Sequence, residues 1–214
     1  SYDDVEAKGA GFETKFLLHV NTPDAPTVSG NTVTISNGEG KLVLTCLAGS
    51  SRIDSLGGRV YDASGKHDAK TSSNYLIGGP QVYDSTLKDD GAWGRVEIVS
   101  TAKATKMMNV IYVTDKGQKK DAPEISAIKA DGVEGSTFGN LAAVFMASRE
   151  GRDSAVSFTA KGDGEMKYYI SGVTAGEWNI SVNGKDCGKA SATAEGGLLV
   201  FTAPAGDISI TPAN

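Results

Sequence analysis

Residues 178–185 read Trp-Asn-Ile-Ser-Val-Asn-Gly-Lys, and this stretch decides the fold class. Trp178, Ile180 and Val182 share one face of an extended chain, while Asn179 and Ser181 share the other. That period of two is the signature of a half-buried strand. Asn183-Gly184 follows at once, the dipeptide preferred where a two-residue turn needs positive φ at both centres. A strand followed by such a turn predicts a hairpin.

The pattern repeats outward in both directions. Downstream, Lys189–Ala194, Leu198–Thr202 and Asp207–Thr211 read as strands, with Ala203-Pro204-Ala205-Gly206 turning between the last two. Upstream, Val156 and Phe158 alternate with Ser157 and Thr159, and Met166, Tyr168 and Ile170 alternate in the same way. Further strands are expected at Ile125–Lys129, Val133–Phe138, Leu141–Ala147, Trp93–Ser100 and Met107–Val113. In the first half, Lys15–Val20 reads as a short buried strand stopped by Pro23 and Pro26. Thr32–Ser36, the turn Asn37–Gly40 and Lys41–Leu47 form the clearest hairpin there. No window sustains apolar residues at helical spacing over three turns. The expectation is an all-β protein, an antiparallel β-sandwich of about a dozen short strands. One sandwich domain over residues 14–214 is expected, behind a loose lead-in at 1–13, with a weak seam near 115–123.

Composition agrees. Glycine is frequent at 27 of 214 residues and proline sparse at 6, which suits many tight turns. The net charge of −5 argues against nucleic acid, which demands a basic surface. A local basic cluster, Lys116, Lys119 and Lys120 with Lys103 and Lys106 nearby, reads first as solvated loop. No apolar run approaches a membrane span. The opening SYDDVEAKG is no signal peptide, so the chain reads as a mature form or an excised piece.

Catalytic signals are few. The two cysteines, Cys46 in an apolar strand and Cys187 in a turn-like stretch, show no zinc spacing, and a disulfide between them is not demanded. No metal site and no cofactor is expected. Acidic turns such as Lys88-Asp89-Asp90-Gly91 lack the spacing of a calcium loop. His19 reads as a histidine packed at a sheet face, and His67 as a loop residue. No G-x-S-x-G elbow or H-E-x-x-H helix occurs. The sequon Asn179-Ile180-Ser181 falls inside a strand and reads as a chance match. Sugar rings stack on exposed aromatics, so the candidate glycan contacts are Trp93, Tyr61, Tyr75 and Tyr83, with His19 added; Trp178 reads as core.

Three stretches resemble a known family. They are KFLLH (Lys15–His19) with the hairpin ending at Lys41–Leu47; WGRVEIV (Trp93–Val99) with Met108–Val113; and the closing segment from Ile170 through Gly176-Glu177-Trp178 and Asn183-Gly184-Lys185 to Leu199-Val200-Phe201. Together they resemble the C-terminal β-sandwich of heparinase II/III-like polysaccharide lyases of bacteria. In that family a helical toroid and a following β domain place the lyase chemistry. This chain has neither long amphipathic helices nor the histidine-rich segment, so no catalytic residue carries over. The resemblance implies a non-catalytic module of a secreted or periplasmic lyase. Its partners would be the parent's catalytic domains and a polysaccharide, with uronic acid among the candidate sugars. The competing reading is a stand-alone secreted carbohydrate-binding or adhesive sandwich. A small jelly-roll lyase is the weakest reading, since His19 follows Leu-Leu rather than the Gln-x of such enzymes.

Overall fold

The structure, a computed structural model, describes residues 1–9, 11–20, 24–57, 94–117, 123–148 and 150–213. Among these it contains fifteen strands and no helix. The chain divides into two compact units, Ser1–Lys120 and Asp121–Asn214.

The first unit holds β1 (Tyr2–Glu6), β2 (Thr14–Val20), β3 (Thr27–Ser29), β4 (Thr32–Asn37), β5 (Gly40–Ala48), β6 (Arg52–Leu56), β7 (Gly94–Ser100) and β8 (Ala104–Asp115). They make a five-stranded sheet, β1-β8-β5-β4-β3, and a three-stranded sheet, β2-β7-β6, antiparallel throughout. Alternation decides what each sheet buries. Phe16, Leu18, Ile53, Val96 and Ile98 of the small sheet meet Val33, Ile35, Leu44 and Cys46 of the large one in a single apolar cluster. Two sheets closed over such a layer are a sandwich. The lead-in expected at 1–13 is not loose over Tyr2–Glu6: β1 pairs residue for residue with β8. Polar composition hid that edge strand, which is mostly half-buried and shows no clean alternation of buried and exposed residues.

The second unit holds β9 (Ile125–Ala130), β10 (Val133–Phe138), β11 (Leu141–Met146), β12 (Val156–Ser171), β13 (Gly176–Val182), β14 (Lys185–Ala192) and β15 (Leu198–Pro212). They form one sheet in the order β13-β14-β15-β12-β11-β10-β9, with β13 also pairing directly with β15. The predicted hairpin is present, with φ of 51° at Asn183 and 75° at Gly184, both positive as the turn requires. Trp178 is 1% exposed, and its Nε1–H donates to the Thr174 carbonyl at 3.0 Å.

Two features differ from the expectation of short antiparallel strands. Residues 156–160 and 166–170 are not separate strands but halves of β12, and 198–202 and 207–211 are halves of β15. The two long strands run antiparallel and bend together. Between the pairs Ala160–Gly206 and Glu165–Pro204, residues 161–164 of β12 stand against Ala205 alone. Such a bulge turns a strand without ending it. The turn residues Gly162, Gly164, Pro204 and Gly206 therefore mark a bend rather than a reversal. The second difference is that β11 pairs in parallel with the latter half of β12. A parallel pair needs a crossover, and the first half of β12 supplies it.

The bend lets one sheet close over its own core. Phe158 lies before the bulge and Tyr168 after it, yet their ring centroids are 6.4 Å apart. Tyr168 stacks on Phe201 at 4.8 Å and donates its hydroxyl to the Pro204 carbonyl at 2.9 Å. Burial, helped by the nearby Cys187, pushes the Tyr168 hydroxyl pKa up to about 12. Gly206 has φ of 145°, and a Cβ there would lie 2.6 Å from the Asn183 amide nitrogen. Gly206→Ala is expected to lower stability by ~1–3 kcal/mol in urea denaturation, through strain at positive φ and crowding of the turn. Unchanged stability would show that the bend does not require glycine.

Candidate functional site

Of the residues singled out in the sequence, Trp93, Tyr61, Tyr75 and Tyr83 lie outside the described residues, as do His67 and the 88–91 turn. His19 is described. It is exposed on the outward face of β2, because the alternation that sends Leu18 and Val20 inward turns it out. It stands at a sheet face, as read from the sequence, but exposed rather than packed. Lys103 of the basic cluster sits 3.3 Å from Glu6 on the surface.

The outward face of β2-β7-β6 carries charge. Glu97 on β7 is only 6% exposed. Lys15 on the neighbouring β2 donates to its carboxylate at 2.7 Å, and Arg95 on its own strand donates at 2.6 Å. Arg52 on β6 pairs with Asp54 at 2.8 Å and Glu13 at 2.7 Å, and Glu13 reaches back to Lys15 at 3.5 Å. Burial alone pushes the Glu97 carboxyl up, but the hydrogen bonds from Lys15 and Arg95 outweigh it and hold the group below its ordinary value. Three acids against three bases leave this ladder neutral and internally satisfied. It braces the small sheet rather than attracting a ligand.

A carboxyl with a depressed folded pKa contributes stability above its unfolded value, near 4.5, and loses it as pH falls through the lower folded value. Glu97→Gln is therefore expected to cost ~1–3 kcal/mol at neutral pH, since it weakens two charge-assisted bonds at a buried site. The deficit relative to wild type should shrink as pH falls below 4.5 through the depressed folded value, where wild-type Glu97 protonates. Urea denaturation at neutral pH and along that acid range checks this, and equal stability at neutral pH would refute the bracing role.

A second constellation lies in the second unit, where the bend creates relief on an otherwise flat sheet. The outward residues of the first half of β12, Ser157, Thr159 and Lys161, face Lys129 of β9 across a cleft of about 430 Å³, with Asp207 of β15 at its side. Thr159 donates to Asp207 at 2.7 Å, and the Ser157 and Ser209 hydroxyls are 3.3 Å apart. Lys161 opens the bulge and also borders a smaller cleft of about 240 Å³ with Ser126, Thr137 and Asp163. The two clefts meet at Lys161 and form one groove. Among the described residues, neither Lys129 nor Lys161 has an ion-pair partner. Two ammonium groups, the hydroxyls of Ser126, Thr137, Ser157 and Thr159, and the carboxylates of Glu124, Asp163 and Asp207 make a polar surface that hydrogen-bonds polyols, with Lys129 and Lys161 as its cations.

Sequence reasoning missed this groove. Ser157 and Thr159 were legible as outward residues, but the approach of β9 to the first half of β12 follows from the bend, which pattern alone does not show. Exposed rings contribute little: among the described residues, Tyr169 has the Lys167 ammonium 5.3 Å from its ring centroid, and Phe12 stands by itself as the other large exposed ring. No group of three or more potential metal ligands occurs among the described residues.

The class defined is thus all-β, two sheet-built units with a polar, lysine-flanked groove on the second. Residues 127–212, nearly all of that second unit, match the family model of the heparinase II C-terminal domain. The resemblance read from the sequence is therefore met in this segment, which contains the third of the three stretches that carried it. No curated protein matches the chain. No helix among the described residues is long and apolar enough to cross a membrane.

Proposed function

We propose that this chain is a non-catalytic C-terminal module of a heparinase II/III-like polysaccharide lyase that acts outside the cytoplasm, in the periplasm or as a secreted enzyme, and that it steadies the polysaccharide for the catalytic domains. The observation that carries the reading is the match of residues 127–212 to the heparinase II C-terminal domain on the unit that bears the groove. Because the matched segment and the unit Asp121–Asn214 nearly coincide, we take this unit as the module proper.

The groove supports glycan contact by its chemistry. Lys129 and Lys161 suit a carboxylate or sulfate, while Ser157, Thr159 and Asp207 suit sugar hydroxyls. The overall charge of −5 disfavours nonspecific attraction to a polyanion, so affinity would rest on these two local cations. β-Elimination needs a group that neutralises the uronate carboxylate and a base at the C5 proton, held together in a cleft. The groove supplies the first kind of group and, among the described residues that line it, no histidine or tyrosine for the second.

The test is calorimetric titration of the purified chain with heparin, heparan sulfate, hyaluronan and alginate, alongside an ultraviolet assay for unsaturated product. Binding of one acidic glycan without product is expected. Replacing Lys129 and Lys161 together by Ala should weaken it roughly tenfold, since two exposed ion pairs contribute up to ~1 kcal/mol each. Product formed by the chain alone would overturn the non-catalytic reading, and binding indifferent to both lysines would remove the groove from it.

A further inference from the structure

The groove of the second unit has an order along its length, and that order leads to a third cation. Ser126 lies with Lys161 and Gly162 at one end, while Lys129 and Ala130 lie with Ser157 and Phe158 further on. One wall is therefore β9, and the other is the first half of β12 running the opposite way. Two residues past Ala130 the first wall reaches Gly132, in the turn to β10, and two residues before Ser157 the second reaches Ala155. The Arg152 guanidinium lies between these two points. Its Nη2–H donates to the Ala155 carbonyl at 3.4 Å, and its Nε–H donates to Ser154 Oγ at 3.1 Å. Its Nη1 sits 2.5 Å from where a Cβ on Gly132 would be, so glycine there leaves room for the group.

Arg152 is held in place without being used up. Its backbone bridges in parallel to Val173, donating to the Gly172 carbonyl at 2.8 Å and accepting from the Thr174 N–H at 2.9 Å. The two side-chain bonds then fix the guanidinium plane. Neither involves Nη1, which has no hydrogen-bond partner among the described residues. Asp131 and Asp153, its acidic neighbours, form no ion pair with it. A planar fork fixed beforehand, with donors to spare, receives a carboxylate or sulfate at little cost in side-chain freedom.

From Ala155 to Lys161 the chain advances six residues, roughly 20 Å at ~3.3 Å per residue of strand. That is longer than one sugar ring and matches several linked rings. We propose that Arg152 is the far anion contact of this groove, and that the groove takes an extended acidic oligosaccharide. Its anionic substituents would rest on Arg152 at one end and Lys161 at the other, with Lys129 between. The proposal deepens the glycan reading and rests on it. A disaccharide is too short to engage both ends at once.

Calorimetric titration of the whole chain with size-fractionated heparin oligosaccharides, from disaccharide to octasaccharide, tests this. Wild type should bind the octasaccharide about tenfold more tightly than the disaccharide. Arg152→Gln should weaken the octasaccharide about fivefold, the worth of one exposed ion pair, and leave the disaccharide, seated on the two lysines, unchanged. If Arg152→Gln fails to fold, the wild-type chain still decides by nuclear magnetic resonance: the Arg152 Nε–H signal should shift with the octasaccharide and stay still with the disaccharide. Equal affinity at every length, wild-type octasaccharide affinity in a folded Arg152→Gln, or an unmoved Arg152 signal would overturn the proposal. The glycan reading would survive that result provided that replacing Lys129 and Lys161 by Ala still weakens binding. Failure of every length to bind would overturn both.

Discussion

A single sheet can bury one of its faces only by turning over itself, and the second unit depends on that constraint. Sandwiches meet it with two sheets, as the first unit does. The second unit meets it with the shared bend of β12 and β15, where residues 161–164 are set against Ala205 alone. Everything in the unit's core follows. Tyr168, tilted against Phe158 across the bend, stacks on Phe201 in the layer that Trp178, Ile180 and Ile208 complete. The Tyr168 hydroxyl ties the layer to the backbone at Pro204, so the bend and the core hold each other in place.

The same bend produces the only pronounced relief among the described residues of that unit's hydroxyl-bearing face. Pushing residues 161–164 out of register lifts Lys161 over the first half of β12, and bringing β9 alongside sets Lys129 opposite. A flat sheet with the same composition would expose these lysines without converging them. The first unit shows the opposite use of charge: Lys15, Arg95 and Arg52 are matched to Glu97, Glu13 and Asp54 at close range, which leaves little field for a ligand. Paired cations brace a sheet, whereas unpaired ones over hydroxyls are available for binding.

The strands were largely legible because a period of two survives in the residues that face the core. Trp178, Ile180 and Val182, or Val96 and Ile98, announce both their conformation and their burial. The bend was not legible, because Gly162, Gly164, Pro204 and Gly206 are equally good residues for a reversal and for a bulge; only the register across two strands tells them apart. The parallel pairing of β11 was hidden for the same reason. β1 was hidden because its sequence, YDDVE, is polar and earns its place by pairing with β8 rather than by apolar burial. His19 misled through its neighbours: the run KFLLHV looks continuously apolar, but its odd positions face out. The groove draws on β9, β12 and β15, segments far apart in sequence, and no local motif joins them.

The central claim is that the lysine-flanked groove of the second unit receives the glycan. Nuclear magnetic resonance mapping addresses it most directly, by following backbone amide shifts of the whole chain while an acidic oligosaccharide is added. The account predicts shifts concentrated at Lys129, Ser157, Thr159, Lys161 and Asp207, with the charged ladder around Glu97 unmoved. Shifts confined to the first unit, or absent from the groove while the oligosaccharide binds, would contradict it.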